Sequence, residues 1–239
     1  MVKYFRGDSV DSWFETKLGQ LHLAASADLM ERLDRYHVFL SQKNAVMNLT
    51  AITERSEIYK KHFFDSLCLV LAIDPAGKTL LDVGSGAGFP SLPLKLAFPD
   101  LKVTIVDSLG KRIRFLEELT ALLELRDVKL VLGRAEDLPL KNHYDIVTAR
   151  AVARLDILTE LCLPFVRTGG CFIAMKAKGY EEELQDAQNA IQTLGGSVEH
   201  EIRYDIDEST EHVLIVIRKL RPTDSRYPRT FAQIKKNPL

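Results

Sequence analysis

Leu80-Leu81-Asp82-Val83-Gly84-Ser85-Gly86-Ala87-Gly88-Phe89-Pro90 decides the fold. A short apolar run reaches an acid, crosses three glycines at alternate positions and enters a helix-like segment. That pattern reads as a buried strand feeding a tight turn, because glycine lets backbone approach a ligand closely and adopt positive φ. The turn opens at the amino end of the next helix, where unpaired N–H groups favour acceptor atoms. A dinucleotide fingerprint wants its third glycine or alanine five positions after the first, and that position is Phe89. A phosphate-cradling P-loop wants glycine followed by Lys and Ser/Thr, which Phe89-Pro90-Ser91 does not supply.

The spacing Gly-x-Gly-x-Gly after Asp-Val resembles the S-adenosyl-L-methionine loop of class I methyltransferases. That cofactor carries no phosphates, so a loop without lysine suits it. The next strand supplies a companion: Val103-Thr104-Ile105-Val106 is β-branched and apolar and ends in Asp107, 23 residues after Gly84. A carboxylate at the tip of the second strand can accept hydrogen bonds from two vicinal ribose hydroxyls. The alternative for Asp107 is a cap on the helical run that follows Asp107-Ser108.

Strand-like runs recur at 79–83, 102–107, 128–132, 144–149, 170–176, 198–204 and 212–218, with helix-like runs near 90–98, 110–125, 154–164 and 181–194. This alternation predicts an α/β fold, a mostly parallel sheet with helices on both faces. The last two runs lack a helix between them and are expected to pair antiparallel. Ahead of them, residues 9–44 show two amphipathic helical segments, and 54–71 reads as one or two more. The expected organisation is a helical extension over 1–77 packed on a catalytic domain over 78–219, followed by a basic tail over 220–239.

The 239 residues are 46% hydrophobic and 27% charged, an ordinary globular composition. No apolar run approaches the ~20 residues of a membrane helix, and the first residues lack the apolar core of a secretion signal. Cys68, Cys162 and Cys171 sit in apolar contexts and read as buried thiols of a cytosolic protein. No Cys/His spacing suggests a metal site. Net charge is −1, but residues 218–239 hold seven basic residues against Asp224 alone, a net +6. A basic tail on an acidic body suggests an arm for a polyanion.

Several motifs taken in order resemble one family, the bacterial ribosomal small-subunit guanine-N7 methyltransferases known as RsmG or GidB. They are Asn48-Leu49-Thr50, His62-Phe63-Phe64-Asp65-Ser66, the glycine loop through Pro93-Leu94, Asp107-Ser108-Leu109-Gly110-Lys111-Arg112, Gly133-Arg134-Ala135-Glu136, Thr148-Ala149-Arg150-Ala151 and Met175-Lys176. The chain departs at Ser91, where the family usually has glycine, and at Thr230-Phe231-Ala232, which replaces a linker richer in Gly and Pro. The resemblance implies a class I methyltransferase fold with a seven-stranded sheet. It implies S-adenosyl-L-methionine contacts at Gly84, Phe89, Ala135, Glu136 and Arg150, to which loop geometry and ribose logic add Gly86 and Asp107. Asp82 is expected to orient the loop.

The implied reaction methylates N7 of a guanosine in the 530 loop of 16S ribosomal RNA, with the small subunit or an assembly intermediate as partner and a cytoplasmic monomer as the working form. N7 carries a free lone pair and no proton, so no catalytic acid or base is expected. The Asn/Asp-Pro-Pro-aromatic motif of amine methylation and the Cys-Pro pair of cytosine C5 methylation are both absent. In A-form RNA the major groove is too narrow for side chains to reach N7, so the target must be unpaired or splayed. Candidate RNA-facing groups are Asn48, His62, Lys111, Arg112, Lys176, Arg229, Lys235 and Lys236. Competing readings are a class I methyltransferase with another RNA or a small-molecule acceptor, and a non-catalytic protein that retains the cofactor loop.

Overall fold

The computed structural model describes residues 9–206 and 211–239. Seven strands form one sheet: β1 (Thr79–Val83), β2 (Lys102–Asp107), β3 (Val128–Leu132), β4 (Tyr144–Arg150), β5 (Val166–Ala177), β6 (Gly196–Asp205) and β7 (Glu211–Lys219). Their order is β3-β2-β1-β4-β5-β7-β6. The pairs among β1 to β5 are parallel, and β7 lies antiparallel between β5 and β6. The chain leaves β1 towards β2 on one side and returns to β4 on the other, which places a topological switch point at the carboxyl end of β1.

Side chains alternate across the sheet, as strand geometry requires. Leu80, Val103, Ile105, Ile146 and Ile173 face one core; Leu81, Val106, Val147, Phe172 and Ala174 face the other. The first core is closed by α1 (Ser9–Gln20), α2 (Ala27–Met47), the helical run over 55–71, α5 (Ser91–Ala97) and α6 (Gly110–Leu122). That run is α3 (Arg55–Ile58), a π-helical turn (Tyr59–Phe64), α4 (Asp65–Leu67) and a 3₁₀ turn (Cys68–Leu71). The second core is closed by α7 (Leu155–Cys162), α8 (Tyr180–Asp186), α9 (Gln188–Thr193) and α10 (Phe231–Lys236).

Helix α2 shows how local sequence and packing agree. Ser26 caps it by accepting the Leu29 N–H at 3.2 Å, and Leu29, Leu33, Tyr36 and Leu40 recur on one buried face. From its other side Arg32 and Arg35 donate to the Leu123 and Leu122 carbonyls, satisfying acceptors that the end of α6 leaves open. The described residues before 78 therefore share a core with the sheet.

The C-terminal stretch corrects the expectation of an arm. Tyr227 and Phe231 pack against the second core, and Ile234 is fully buried in it. Most of the seven basic groups have partners. Arg218 pairs with Glu199, Arg221 donates to the Gln192 carbonyl, Arg226 pairs with Asp224 and Arg229 with Glu160. Lys219 is buried, donates to the Leu163 and Leu194 carbonyls at 2.8 and 3.0 Å, and is pushed down to about 7, chiefly by burial. Of the seven, Arg218 and Arg229 are offset by carboxylates from elsewhere in the fold and Lys219 is buried, so the charge counted along the chain overstates the basic surface. The three cysteines are free and buried. No helix among the described residues is long and apolar enough to cross a membrane.

Candidate cofactor and substrate site

A cleft of about 570 Å³ opens at the switch point, within the range of small-molecule sites. One flank is the glycine loop. Gly84 and Gly86 have φ of +74° and +63°, a region that side chains rarely adopt. The space where a Gly86 Cβ would stand holds no protein atom within 4 Å, so backbone there faces open cleft. The Gly84 N–H donates to the Val106 carbonyl at 2.8 Å, tying the loop to β2. The Ser85 hydroxyl is buried at this cleft without a protein partner, and a buried hydroxyl needs one.

Asp82 orients the loop, as the sequence suggests. It is fully buried and accepts the Ser91 N–H at 3.2 Å, with its second oxygen unpartnered. Burial pushes its carboxyl up to about 7, against the Ser91 hydrogen bonds and Arg150, which pull it down. The folded state then holds a proton that the unfolded chain releases near pH 4, so this group lowers stability as pH rises from about 4 to about 7. His62 acts the opposite way: burial and then Arg150 push it down to about 4, so its contribution is lost as pH falls below about 6.5. Asp82→Asn keeps an acceptor for Ser91 and removes the first slope. Denaturant titrations across this window are expected to show the variant gaining on the parent chain as pH rises; parallel curves would contradict it.

At the tip of β2, Asp107 is buried, accepts the Leu109 N–H at 2.9 Å and pairs with Arg112 at 3.2 Å. It thus braces the start of α6 while lining the cleft. Arg134, Ala135 and Glu136 follow β3 and line the same end, joined by Phe231 from α10.

The opposite flank comes from the N-terminal helices. Leu49, Thr50 and His62 line it together with Phe89 and Arg150. The His62 ring stacks on Phe89 with centroids 4.5 Å apart, and its Nε2 lies 2.8 Å from Thr50 Oγ1. Arg150 places its guanidinium 5.1 Å from the Phe89 ring centroid and donates to Asp65 at 2.7 Å and to the Lys61 carbonyl at 3.0 Å. Asp65 also accepts from Tyr204 at 2.6 Å and lies 3.2 Å from His212 Nδ1. These partners hold its carboxyl below the usual carboxylate range despite burial. His62 lies in the π-helical turn and Asp65 directly follows it, and such turns occur frequently at functional sites.

The cleft therefore gathers Gly84, Gly86, Phe89, Asp107, Ala135, Glu136 and Arg150, and adds His62 and Arg112. Lys111 is exposed and donates to the Met47 carbonyl; Asn48 is exposed and closes α2 in the left-handed region. Lys235 and Lys236 are exposed on α10. Two residues expected to face RNA are turned inward. Lys176 donates to the Ala153 carbonyl at 2.8 Å and pairs with Glu183 at 2.7 Å. Arg229 meets fully buried Glu160 through its backbone N–H and guanidinium. Each cation offsets a carboxylate inside the fold. Sequence reasoning did not single out Thr50, Ser85, Arg134, Val152 or Phe231 as cleft residues. The first four lie in or beside motifs already quoted; Phe231 has no local signal.

A switch-point cleft with a lysine-free glycine loop, an acid at the next strand tip and an unpartnered hydroxyl fits S-adenosylmethionine. Two solved structures agree in architecture. M. jannaschii TYW2 in complex with AdoMet superposes with a TM-score of 0.52 at 17% identity, covering 62% of this chain and 71% of that one. TrmN from Thermus thermophilus gives 0.54 at 20%, covering 66% and 48%. The fold is that of the class I S-adenosylmethionine-dependent methyltransferases.

The profile of the GidB family, described as rRNA small subunit methyltransferase G, matches residues 29–210. The Ligilactobacillus salivarius protein of that name is 46% identical over 235 residues, covering 95% of this chain and 98% of its own. Its Bacillus subtilis counterpart is 45% identical over 233 residues, covering 95% and 97%. The chain belongs to the rRNA small subunit methyltransferase G family. It is an S-adenosylmethionine-dependent methyltransferase that acts on ribosomal RNA.

Proposed function

We propose that this chain methylates N7 of a guanosine in the 530 loop of 16S ribosomal RNA, working as a cytoplasmic monomer on the small subunit or an assembly intermediate. The observation that carries the reading is the two-sided cleft: a glycine loop on one flank, and Thr50, His62, Phe89 and Arg150 on the other. The chain divides into residues 1–77, a helical extension that brings Thr50 and His62 to the cleft, 78–219, the methyltransferase domain that brings the glycine loop, Phe89 and Arg150, and 220–239, the basic tail.

The cofactor-facing residues are Gly84, Gly86, Phe89, Asp107, Ala135, Glu136 and Arg150. When bound, S-adenosylmethionine supplies an electrophilic methyl group on a sulfonium centre. Gly84 and Gly86 admit it against bare backbone, Asp107 accepts from vicinal hydroxyls, and Phe89 walls off water. The free N7 lone pair would take the methyl group as its bond to sulfur breaks, releasing S-adenosylhomocysteine and moving the positive charge to the guanine. The protein's task is therefore alignment and electrostatics without a general base. Neutral His62 suits that task, because it presents a flat face beside the reacting centre without adding positive charge. His62 and Arg112, which line the cleft, and exposed Asn48, Lys111, Lys235 and Lys236 are the groups assigned to RNA.

Asp107→Ala is expected to weaken S-adenosylmethionine by about 1–3 kcal/mol through lost charge-assisted hydrogen bonds. An unchanged dissociation constant by calorimetry would leave Asp107 with its bracing of Leu109 and Arg112 alone. The function itself is tested by incubating the chain with labelled S-adenosylmethionine and either ribosomal RNA, small subunits or a mixture of small metabolites. Label in RNA at guanine N7 supports the reading; label in another acceptor, or at another base position, refutes it.

A further inference from the structure

The part of the chain that departs from the family's Gly/Pro-rich linker also reaches the cleft. Arg229 is clamped to buried Glu160, its Nε and Nη2 donating at 2.9 and 2.6 Å. Thr230 then caps α10 reciprocally with Gln233, and Ile234 is fully buried. Between these anchors Phe231 is held at the end of the cleft formed by Arg134, Ala135 and Glu136. Its N–H donates to Glu136 Oε1 at 3.0 Å, and the Arg134 guanidinium lies 5.8 Å from its ring centroid. Ile234 is sealed in the core, whereas Phe231 is only partly buried and lines the cleft. A ring serving the core alone would be sealed as Ile234 is.

We propose that Phe231 is a cofactor-binding residue whose ring walls the purine end of the S-adenosylmethionine cleft, and that residues 220–239 hold it there. This rests on the reading of Ala135 and Glu136 as cofactor contacts, and takes their turn, just past the third strand, as the one that flanks the adenine. A purine offers a flat π-face, which an aromatic ring matches without needing a polar atom. Glu136 links the two pieces: the same side chain that edges the cleft accepts the hydrogen bond that begins α10. Because bound cofactor would contact the docked segment, docking and cofactor affinity are coupled in both directions.

The full-length chain is titrated calorimetrically with S-adenosylmethionine and with S-adenosylhomocysteine, which shares the adenosine and lacks the methyl group. Phe231→Ala is expected to weaken both ligands equally, by about tenfold. Phe231→Tyr is expected to bind as the parent does, and Phe231→Leu to remain weak although it restores apolar bulk and melting temperature. Parent affinity in a folded Phe231→Ala chain overturns the assignment. Full rescue by Phe231→Leu does so too, since bulk alone would then suffice. A loss confined to S-adenosylmethionine would place the ring at the sulfonium end and overturn the purine placement. Gly84→Val, run alongside, separates the two levels. If it loses binding while Phe231→Ala does not, only Phe231 is wrongly placed; if it binds normally, the cleft is not the cofactor site.

Discussion

Gly84→Val yields a folded chain that gives no saturable S-adenosylmethionine binding. At φ of +74° a β-branched residue is strained, and its Cβ would stand 2.8 Å from Val152 Cγ2, well inside contact distance. Val152 itself lines the cleft, so relief by moving either group displaces a wall of the site. The strain costs about 1–3 kcal/mol, a tolerable part of the ~5–15 kcal/mol by which domains are stable. Circular dichroism and calorimetry together check this result. Parent affinity in a folded variant would move the cofactor elsewhere.

Arg229→Ala is expected to cost about 3–5 kcal/mol of stability and to weaken cofactor binding as well. Glu160 is fully buried and takes its hydrogen bonds from Arg229, whose side chain is 22% exposed. Removing the guanidinium leaves a carboxylate uncompensated in the core, the costly half of breaking a buried pair. The double change Glu160→Leu with Arg229→Met is then expected to recover most of the loss, since no charge remains stranded. Urea titrations of the four chains read this as a coupling energy. A free arm predicts the reverse: Arg229→Ala, and even an end after Lys219, would leave stability and cofactor affinity unchanged.

Much of this architecture is legible in the residues. The runs 79–83, 102–107 and 128–132 coincide with β1, β2 and β3: the first two are largely buried parallel strands, short and apolar, and the edge strand β3 keeps the same apolar, β-branched character. The missing helix before 212–218 correctly implied an antiparallel β7. Strand β5 begins at Val166, four residues before the run at 170–176, because Gly169 and Gly170 look like breakers. Gly170 instead permits close approach: a Cβ there would lie 2.6 Å from the Asp145 carbonyl oxygen. The glycine loop and Asp107 were readable as a ligand site for the same local reason, since their chemistry sits in consecutive residues.

What the sequence hid is long-range. Arg150 could be placed at a sheet edge, but its partner Asp65 opens α4, directly after a π-helical turn with no periodic signature. Glu160 reads as one more polar residue of an amphipathic helix until Arg229 is folded onto it. The stretch 220–239 carries proline, charge and a helix of only six residues, too little pattern to suggest docking.

The central claim is tested most directly in the ribosomal RNA of cells lacking this protein. Chemical cleavage specific for N7-methylguanosine is expected to show one site missing from 16S RNA, in the 530 loop. The intact chain restores it and the Gly84→Val chain does not. If that position is methylated equally in cells with and without the protein, the assignment of its target is wrong.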